Sequence, residues 1–148
     1  MPEDFKEFIA LMNSHNVRYV MIGGWAYNLY RNPRATGDID FFVAASDENE
    51  MRIRDVLAEF GFGETLGDDK LLIPGKVIML GRSPFRIDLL TEVSGVTFAE
   101  VEDTASAVQL GEINVRVISP ELLLKNKEAA GRQKDLADAA ELRAWLTG

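Results

Sequence analysis

The sequence predicts an α/β (α+β) fold, a small mixed β-sheet flanked by helices that pack mainly on one face, organised as a single domain over residues 1–148. Three observations carry that expectation. The apolar, β-branched run Arg18-Tyr19-Val20-Met21-Ile22 ends in Gly23-Gly24 and passes straight into a helix-prone segment, the order of a strand, a tight turn and a helix. Two further runs, Asp38-Ile39-Asp40-Phe41-Phe42-Val43 and Pro84-Phe85-Arg86-Ile87-Asp88-Leu89-Leu90, have strand composition and head into a core. Helical periodicity with explicit start signals fills the chain around them. A length of 148 residues supports one domain with a core of its own.

In chain order, Asp4 to Ser14 reads as an amphipathic helix with Phe5, Phe8, Ile9 and Met12 on one stripe, ended by His15 and Asn16. The strand at 18–22 follows, then a short helix from the glycine turn, a loop, and the strand that opens on Asp38 and Asp40. Ser46 or Asp47 caps the next helix, with Glu50 placed for a capping box; Met51, Val56, Leu57 and Phe60 form its buried side and Gly61 stops it. Gly61 to Asp69 is a loop, and Lys70 to Leu80 gives two short strand pieces about the turn pair Pro74-Gly75. Beyond the strand containing Asp88, Thr97 to Asp103 reads as a helical turn or loop. Ala105–Leu110 and Ile113–Ile118 read as a hairpin around Gly111-Glu112. Ser119-Pro120 starts a helix that runs to Ala130 with Leu122, Leu123 and Ala130 inward. Gly131 breaks it, and a last helix from Arg132 to Leu146 turns Leu136, Ala140, Leu142 and Trp145 to the core.

Composition narrows the function classes. Hydrophobic residues make up 47% and charged residues 27%, as in a globular protein. No apolar run approaches the ~18 residues of a membrane helix, and the acidic start Met1-Pro2-Glu3-Asp4 lacks the form of a secretory signal. With no cysteine there are no disulfides and no thiolate metal sites, and the expected location is cytoplasmic. A net charge of -8 argues against broad DNA or RNA binding, which needs a basic surface. The lone His15 cannot build an imidazole metal site, so a metal here would be held by oxygen, which favours magnesium or manganese.

The chemistry concentrates at the glycine turn and the aspartates. Gly23 and Gly24 allow a tight turn and leave room for a ligand against the main chain, while the helix start beyond them directs free N–H groups and a positive dipole end at that ligand. Asp38 and Asp40, spaced by two, share a strand face with Cα atoms roughly 6.5–7 Å apart. Like charges so placed at a buried strand need a counter-charge, from Arg34 or from a bound cation. Asp88 lies on the polar face of an apolar strand, either as a third metal carboxylate or as the ion-pair partner of Arg86 or Arg34. Lys127, Arg132 and Lys134 bunch three cations in an otherwise acidic chain. On composition alone they are solvated helix charges.

The pattern Gly-Gly, short helix, Arg-x-Thr-x-Asp-Ile-Asp, then a later lone Asp in an apolar strand resembles the nucleotidyltransferase superfamily typified by DNA polymerase beta. Within it, the chain is most similar to the stand-alone bacterial branch of minimal nucleotidyltransferases and abortive-infection toxin-like proteins. Gly24 stands where the more familiar form has serine, and Asn32-Pro33-Arg34 lengthen the interval before the aspartates. The stretch from Asn126 to Leu136 resembles a Lys…Gly-Arg-x-Lys-Asp segment of that branch, so the likeness runs from Tyr19 to about Leu142.

The resemblance implies a Mg2+- or Mn2+-dependent transfer of a nucleoside monophosphate from an NTP to an acceptor hydroxyl. It implies Asp38, Asp40 and Asp88 as catalytic and metal-holding residues, and Gly23, Gly24, Arg34, Thr36 and Lys127 as nucleotide-binding residues. The acceptor would be a protein, a tRNA end or a small molecule, and a homodimer or a toxin–antitoxin partner is compatible with the likeness. Three alternatives stand beside it. A glycosyltransferase also uses Asp-x-Asp, after a longer nucleotide-binding stretch than precedes Asp38. A non-catalytic relative would bind nucleotide or a toxin–antitoxin partner on the same fold. A purely structural domain leaves the three aspartates unexplained.

Overall fold

The computed structural model describes residues 1–31, 36–63 and 66–148. The chain begins with α1 (Glu3–Ser14), whose buried stripe is Phe5, Phe8, Ile9 and Met12, as its periodicity predicts. β1 (Tyr19–Ile22) is buried along its whole length and runs directly into α2 (Gly23–Tyr30). β2 (Ile39–Val43) and α3 (Asp47–Phe60) follow, then β3 (Val77–Leu80), β4 (Ile87–Leu90) and α4 (Phe98–Thr104). The hairpin of β5 (Ser106–Leu110) and β6 (Ile113–Val117) leads into α5 (Pro120–Ala130) and α6 (Gln133–Thr147).

The strands form one mixed sheet in the order β3-β4-β2-β1-β6-β5. β1 pairs antiparallel with β2, β2 parallel with β4, and β1 parallel with β6. The antiparallel pairs β3–β4 and β5–β6 complete the two edges. One cross-strand row crosses the centre of the sheet: Ile22, Asp40, Asp88 and Met79 stand opposite one another on β1, β2, β4 and β3. Residues opposite one another share a sheet face, so register alone puts Asp40 and Asp88 side by side.

Helices pack on both faces of this sheet rather than mainly on one. Phe41 meets Phe8 of α1 with ring centroids 6.0 Å apart, whereas its neighbour Phe42, on the opposite face, meets Phe98 of α4 edge-on at 5.3 Å. The segment read as a helical turn or loop is α4. Its Thr97 and Glu100 close a reciprocal capping box that stabilises even a short helix.

At α3 the cap is Ser46, which accepts the Asn49 N–H at 3.2 Å, and the predicted Asp47–Glu50 box does not form. Glu50 instead accepts the Leu72 N–H at 2.8 Å and ties the loop after α3 to the helix. Met51 is 68% exposed, and Ile53 takes its place in the core. Of the two strand pieces expected in Lys70–Leu80, only the second forms.

The largest departure from the apolar pattern is in α6. Its buried face is Asp135, Asp138, Ala139 and Leu142, while Leu136 is exposed and Trp145 stacks on the Tyr30 ring at 5.9 Å near the surface. Ala140 and Ala130, also expected inward, are exposed. Two carboxylates take positions that periodicity reserves for leucine because the α5–α6 interface contains cations to meet them.

A polar clamp joins α3 to the sheet. Asn49, fully buried, accepts the Arg18 N–H at 2.7 Å and donates to the carbonyls of Arg18 at 3.0 Å and Ala44 at 2.8 Å. Replacing it with alanine leaves the Arg18 N–H and the buried Ala44 carbonyl without these partners, while the Arg18 carbonyl keeps only the Ala44 N–H at 3.2 Å. Asn49→Ala is expected to cost about 2–4 kcal/mol of stability, read as a lowered midpoint in urea denaturation; a change below ~0.5 kcal/mol would show that the clamp is dispensable.

Candidate active site

β1 ends at Ile22, and α2 begins at Gly23 with no side-chain cap on its first N–H groups. Gly23 has a φ of 72°, a left-handed conformation that favours glycine. A Cβ there would lie 2.4 Å from Asp40 Oδ2, so the turn and the carboxylate are packed against one another with only glycine able to separate them. A Cβ on Gly24 would lie 2.7 Å from Thr36 Oγ1. Trp25 Nε1 donates to the Gly37 carbonyl at 3.1 Å, holding the chain before β2 close to α2. These contacts form one wall of a cavity of about 910 Å³, whose lining includes Asp38, Asp40, Asp88, Lys127 and Arg132.

The three aspartates have different surroundings. Asp38 precedes β2 and accepts hydrogen bonds from Ser83 Oγ at 2.6 Å and from the Arg86 N–H at 3.0 Å. The Ser83 hydroxyl first, then the Arg86 N–H and guanidinium charge, hold it below the ordinary carboxylate range. Asp88 is buried and receives Arg86 in a two-pronged pair, Nε at 2.7 Å and Nη2 at 3.0 Å. Asp40, partly buried beside it, is pushed up to about 7 by burial and by the charge and hydrogen bonding of Asp88.

Arg86 is thus the counter-ion of the site, 3.5 Å from Asp38 as well. The Arg86–Asp88 pair is one of the two readings that the strand pattern leaves open. Arg34, the other candidate, lies outside the described residues. Ser83 was not visible as a site residue, because nothing in its neighbourhood marks a loop that folds back onto Asp38.

Lys127 lines the cavity but is itself buried, and its charge is committed. Its Nζ lies 2.9 Å from Asp138 Oδ2 and 3.7 Å from Asp135 Oδ1, and sits 5.7 Å from the centroid of the Tyr27 ring. Asp135 in turn receives Arg132, at 2.6 Å from Nε. Burial alone pushes Asp135 up, but the hydrogen bond and charge of Arg132, joined by Lys127, outweigh it and leave the group below its ordinary value. The segment expected to carry solvated charges therefore contains a buried ion network. The spacing of Asp135 and Asp138, three apart on a helix and facing a lysine on the preceding one, was the available signal.

The donor set can be compared with the chemistry of a divalent cation. All candidate ligands are carboxylate oxygens, and Asp40 and Asp88 stand adjacent with less positive charge than two carboxylates need, which suits a hard cation. Among the described residues, however, no group of three or more His, Asp and Glu side chains is arranged to enclose a metal ion. Asp38 is turned to Ser83 and Arg86, so the fit rests on the Asp40–Asp88 pair.

Over residues 2–146 the sequence matches the family described as nucleotidyl transferase of unknown function, DUF2204. The chain belongs to that family. Solved structures agree in fold. TM1012 of Thermotoga maritima, a candidate nucleotidyltransferase, superposes with a TM-score of 0.62 at 15% identity, covering 97% of this chain and 90% of that one. The antibiotic-resistance factor ANT(2'')-Ia superposes with a TM-score of 0.59 at 17% identity, covering 97% of this chain and 82% of that one. No curated protein sequence matches the chain. Among the described residues no helix is long and apolar enough to cross a membrane. As a DUF2204 nucleotidyl transferase, the chain has its glycine turn, Asp40 and Asp88 gathered on one wall of the cavity.

Two measurements test this description of the site. A raised carboxyl group means that the native state holds the proton more tightly than the unfolded chain, so the stability it contributes is present below the unfolded value near 4 and is lost as pH rises through about 7. Asp40→Asn is expected to flatten the pH dependence between 4 and 7 and to stabilise the metal-free protein at pH 8 by on the order of 1–4 kcal/mol, read from urea midpoints across pH. Lys127→Met leaves two buried carboxylates short of a partner and is expected to cost about 3–5 kcal/mol; a melting temperature equal to that of the parent would refute the buried network.

Proposed function

We propose that this chain is a magnesium-dependent nucleotidyltransferase that moves a nucleoside monophosphate from an NTP to an acceptor hydroxyl. The observation that supports the reading best is the in-register Asp40–Asp88 pair packed against an uncapped helix start at Gly23. A phosphate resting on the Gly23 and Gly24 N–H groups would meet the positive end of the α2 dipole and lie next to the carboxylates. Thr36, across from Gly24, adds a hydroxyl donor to the same wall. The oxygen donors of Asp40 and Asp88 would hold magnesium or manganese, joined by Asp38 if it exchanges its Ser83 and Arg86 partners for the ion, and the ion when bound neutralises charge on the phosphates.

In the transfer, the acceptor oxygen forms a bond to the α-phosphorus and gives its proton to a carboxylate of the Asp40–Asp88 pair. The bond from the α-phosphorus to the bridging oxygen breaks, and pyrophosphate leaves with that electron pair. Arg86 holds Asp88 in place, and its charge keeps the crowded carboxylates together before substrate arrives. The acceptor is a protein hydroxyl, a tRNA end or a small molecule, and the need for NTP fits a cytoplasmic reaction.

A nucleoside triphosphate with magnesium is expected to raise the melting temperature, by the equivalent of about 2.7 kcal/mol at ~100 times the dissociation constant, and Asp40→Asn is expected to remove that rise. Labelled NTPs incubated with magnesium and cell extract then report which molecule accepts the nucleotide. No thermal shift with any of the four triphosphates at millimolar concentration would count against the reading.

A further inference from the structure

The nucleotide reading leaves one wall of the cavity without a role. It is formed by the end of α5 and the start of α6, and carries Lys127, Arg132, Lys134 and Asp135. Lys127 is the residue the sequence singles out for phosphate, yet its side chain is 6% exposed and its ammonium lies against Asp138 and Asp135. Arg132 is its opposite, with a side chain 69% exposed at the head of α6. It is nonetheless anchored. Asp135, 3% exposed at its side chain, accepts Arg132 Nε at 2.6 Å and Nη2 at 3.3 Å.

A guanidinium has five N–H donors. The pair with Asp135 uses two along one edge and leaves the others for a ligand, and Arg132 is among the residues that line the cavity. Asp40 lies near enough for its charge to help raise the Arg132 pKa, after the hydrogen bond from Arg132 to Asp135. Lys134 lines the same rim and forms no ion pair among the described residues.

Resting on the nucleotidyltransferase reading, we infer that Arg132 is the anchor for the β- and γ-phosphates of the bound triphosphate, with Asp135 and Lys127 as its positioning residues. The chemistry assigns the phosphates. The α-phosphate must reach Asp40 and Asp88, so the remaining two extend away from the carboxylates, where negative charge needs a cation. Pyrophosphate gains charge as it departs, and a fixed fork of N–H donors meets phosphate oxygens in pairs. Exposed arginines ordinarily lose side-chain entropy on binding. Here the buried Asp135 has already removed it, and Lys127 offsets the charge that Asp135 carries into the interior. Lys127 therefore acts on the nucleotide only through the direction in which Arg132 points.

Binding of ATP, ADP and AMP, each with magnesium, to the parent protein and to Arg132→Ala distinguishes this role from a general electrostatic one. Calorimetry or thermal shift supplies the readout, without turnover. Arg132→Ala is expected to weaken ATP binding about ten- to a hundredfold and to leave AMP binding within about twofold, both measured at a temperature where the variant is folded, because the loss of its two bonds to buried Asp135 also lowers the nucleotide-free melting temperature. Arg132→Lys should recover part of the ATP affinity as a point charge, and Asp135→Asn should weaken ATP several-fold by freeing the guanidinium. Equal losses for ATP and AMP, or ATP affinity unchanged in Arg132→Ala while the parent binds normally, would overturn the assignment alone. If the parent binds none of the four triphosphates, the nucleotide reading fails and this inference with it.

Discussion

Asp40 and Asp88 stand side by side on adjacent parallel strands, partly withdrawn from water, and two carboxylates so placed repel unless positive charge is brought to them. Much of the architecture can be read as the means of delivering that charge. Arg86 reaches forward from the residue before β4 and grips Asp88 along two bonds. The start of α2 presents backbone N–H groups, and it approaches so closely that position 23 has no space for a side chain. Arg132 adds a further cation from the far wall of the cavity. For these to converge, β2 and β4 must be neighbours, and the chain between them leaves through α3 and returns through β3.

Sequence patterns were informative where one physical signal dominated locally. The stripe Phe5, Phe8, Ile9 and Met12 fixes a helix face, and Ser119-Pro120 marks a helix start, because neither depends on a distant partner. Asp40 and Asp88 could each be placed on one face of a strand from alternation alone. Their adjacency could not, since it depends on a register between segments far apart in sequence. Ser83 was invisible for the same reason, as its hydroxyl matters only through a contact across 45 positions.

The departures from pattern share a cause. Apolar periodicity assigned Leu136 and Trp145 to the interior of α6, yet Asp135 and Asp138 are there instead. A rule that sorts residues by hydrophobicity fails when opposite charges are buried together and satisfy one another. In the same way, Glu50 was read as a helix cap but reaches outward to the Leu72 N–H, a partner that a local motif cannot contain. The charge of -8 describes the whole surface, whereas the cavity gathers Arg86, Lys127, Arg132 and Lys134 near its aspartates. Net charge and site charge thus answer different questions.

The α5–α6 network has a bearing on how the family diverges. Lys127 and Arg132 balance Asp135 and Asp138 without help from the opposite wall. Arg86, by contrast, has its partners in Asp38 and Asp88. Substitutions among the sheet aspartates therefore leave the helical pair electrically self-sufficient, and a lineage can lose its chemistry while keeping a folded pocket with a positive wall. Descendants of such a lineage would retain the shape of a transferase and serve as receptors for nucleotides or other phosphorylated molecules.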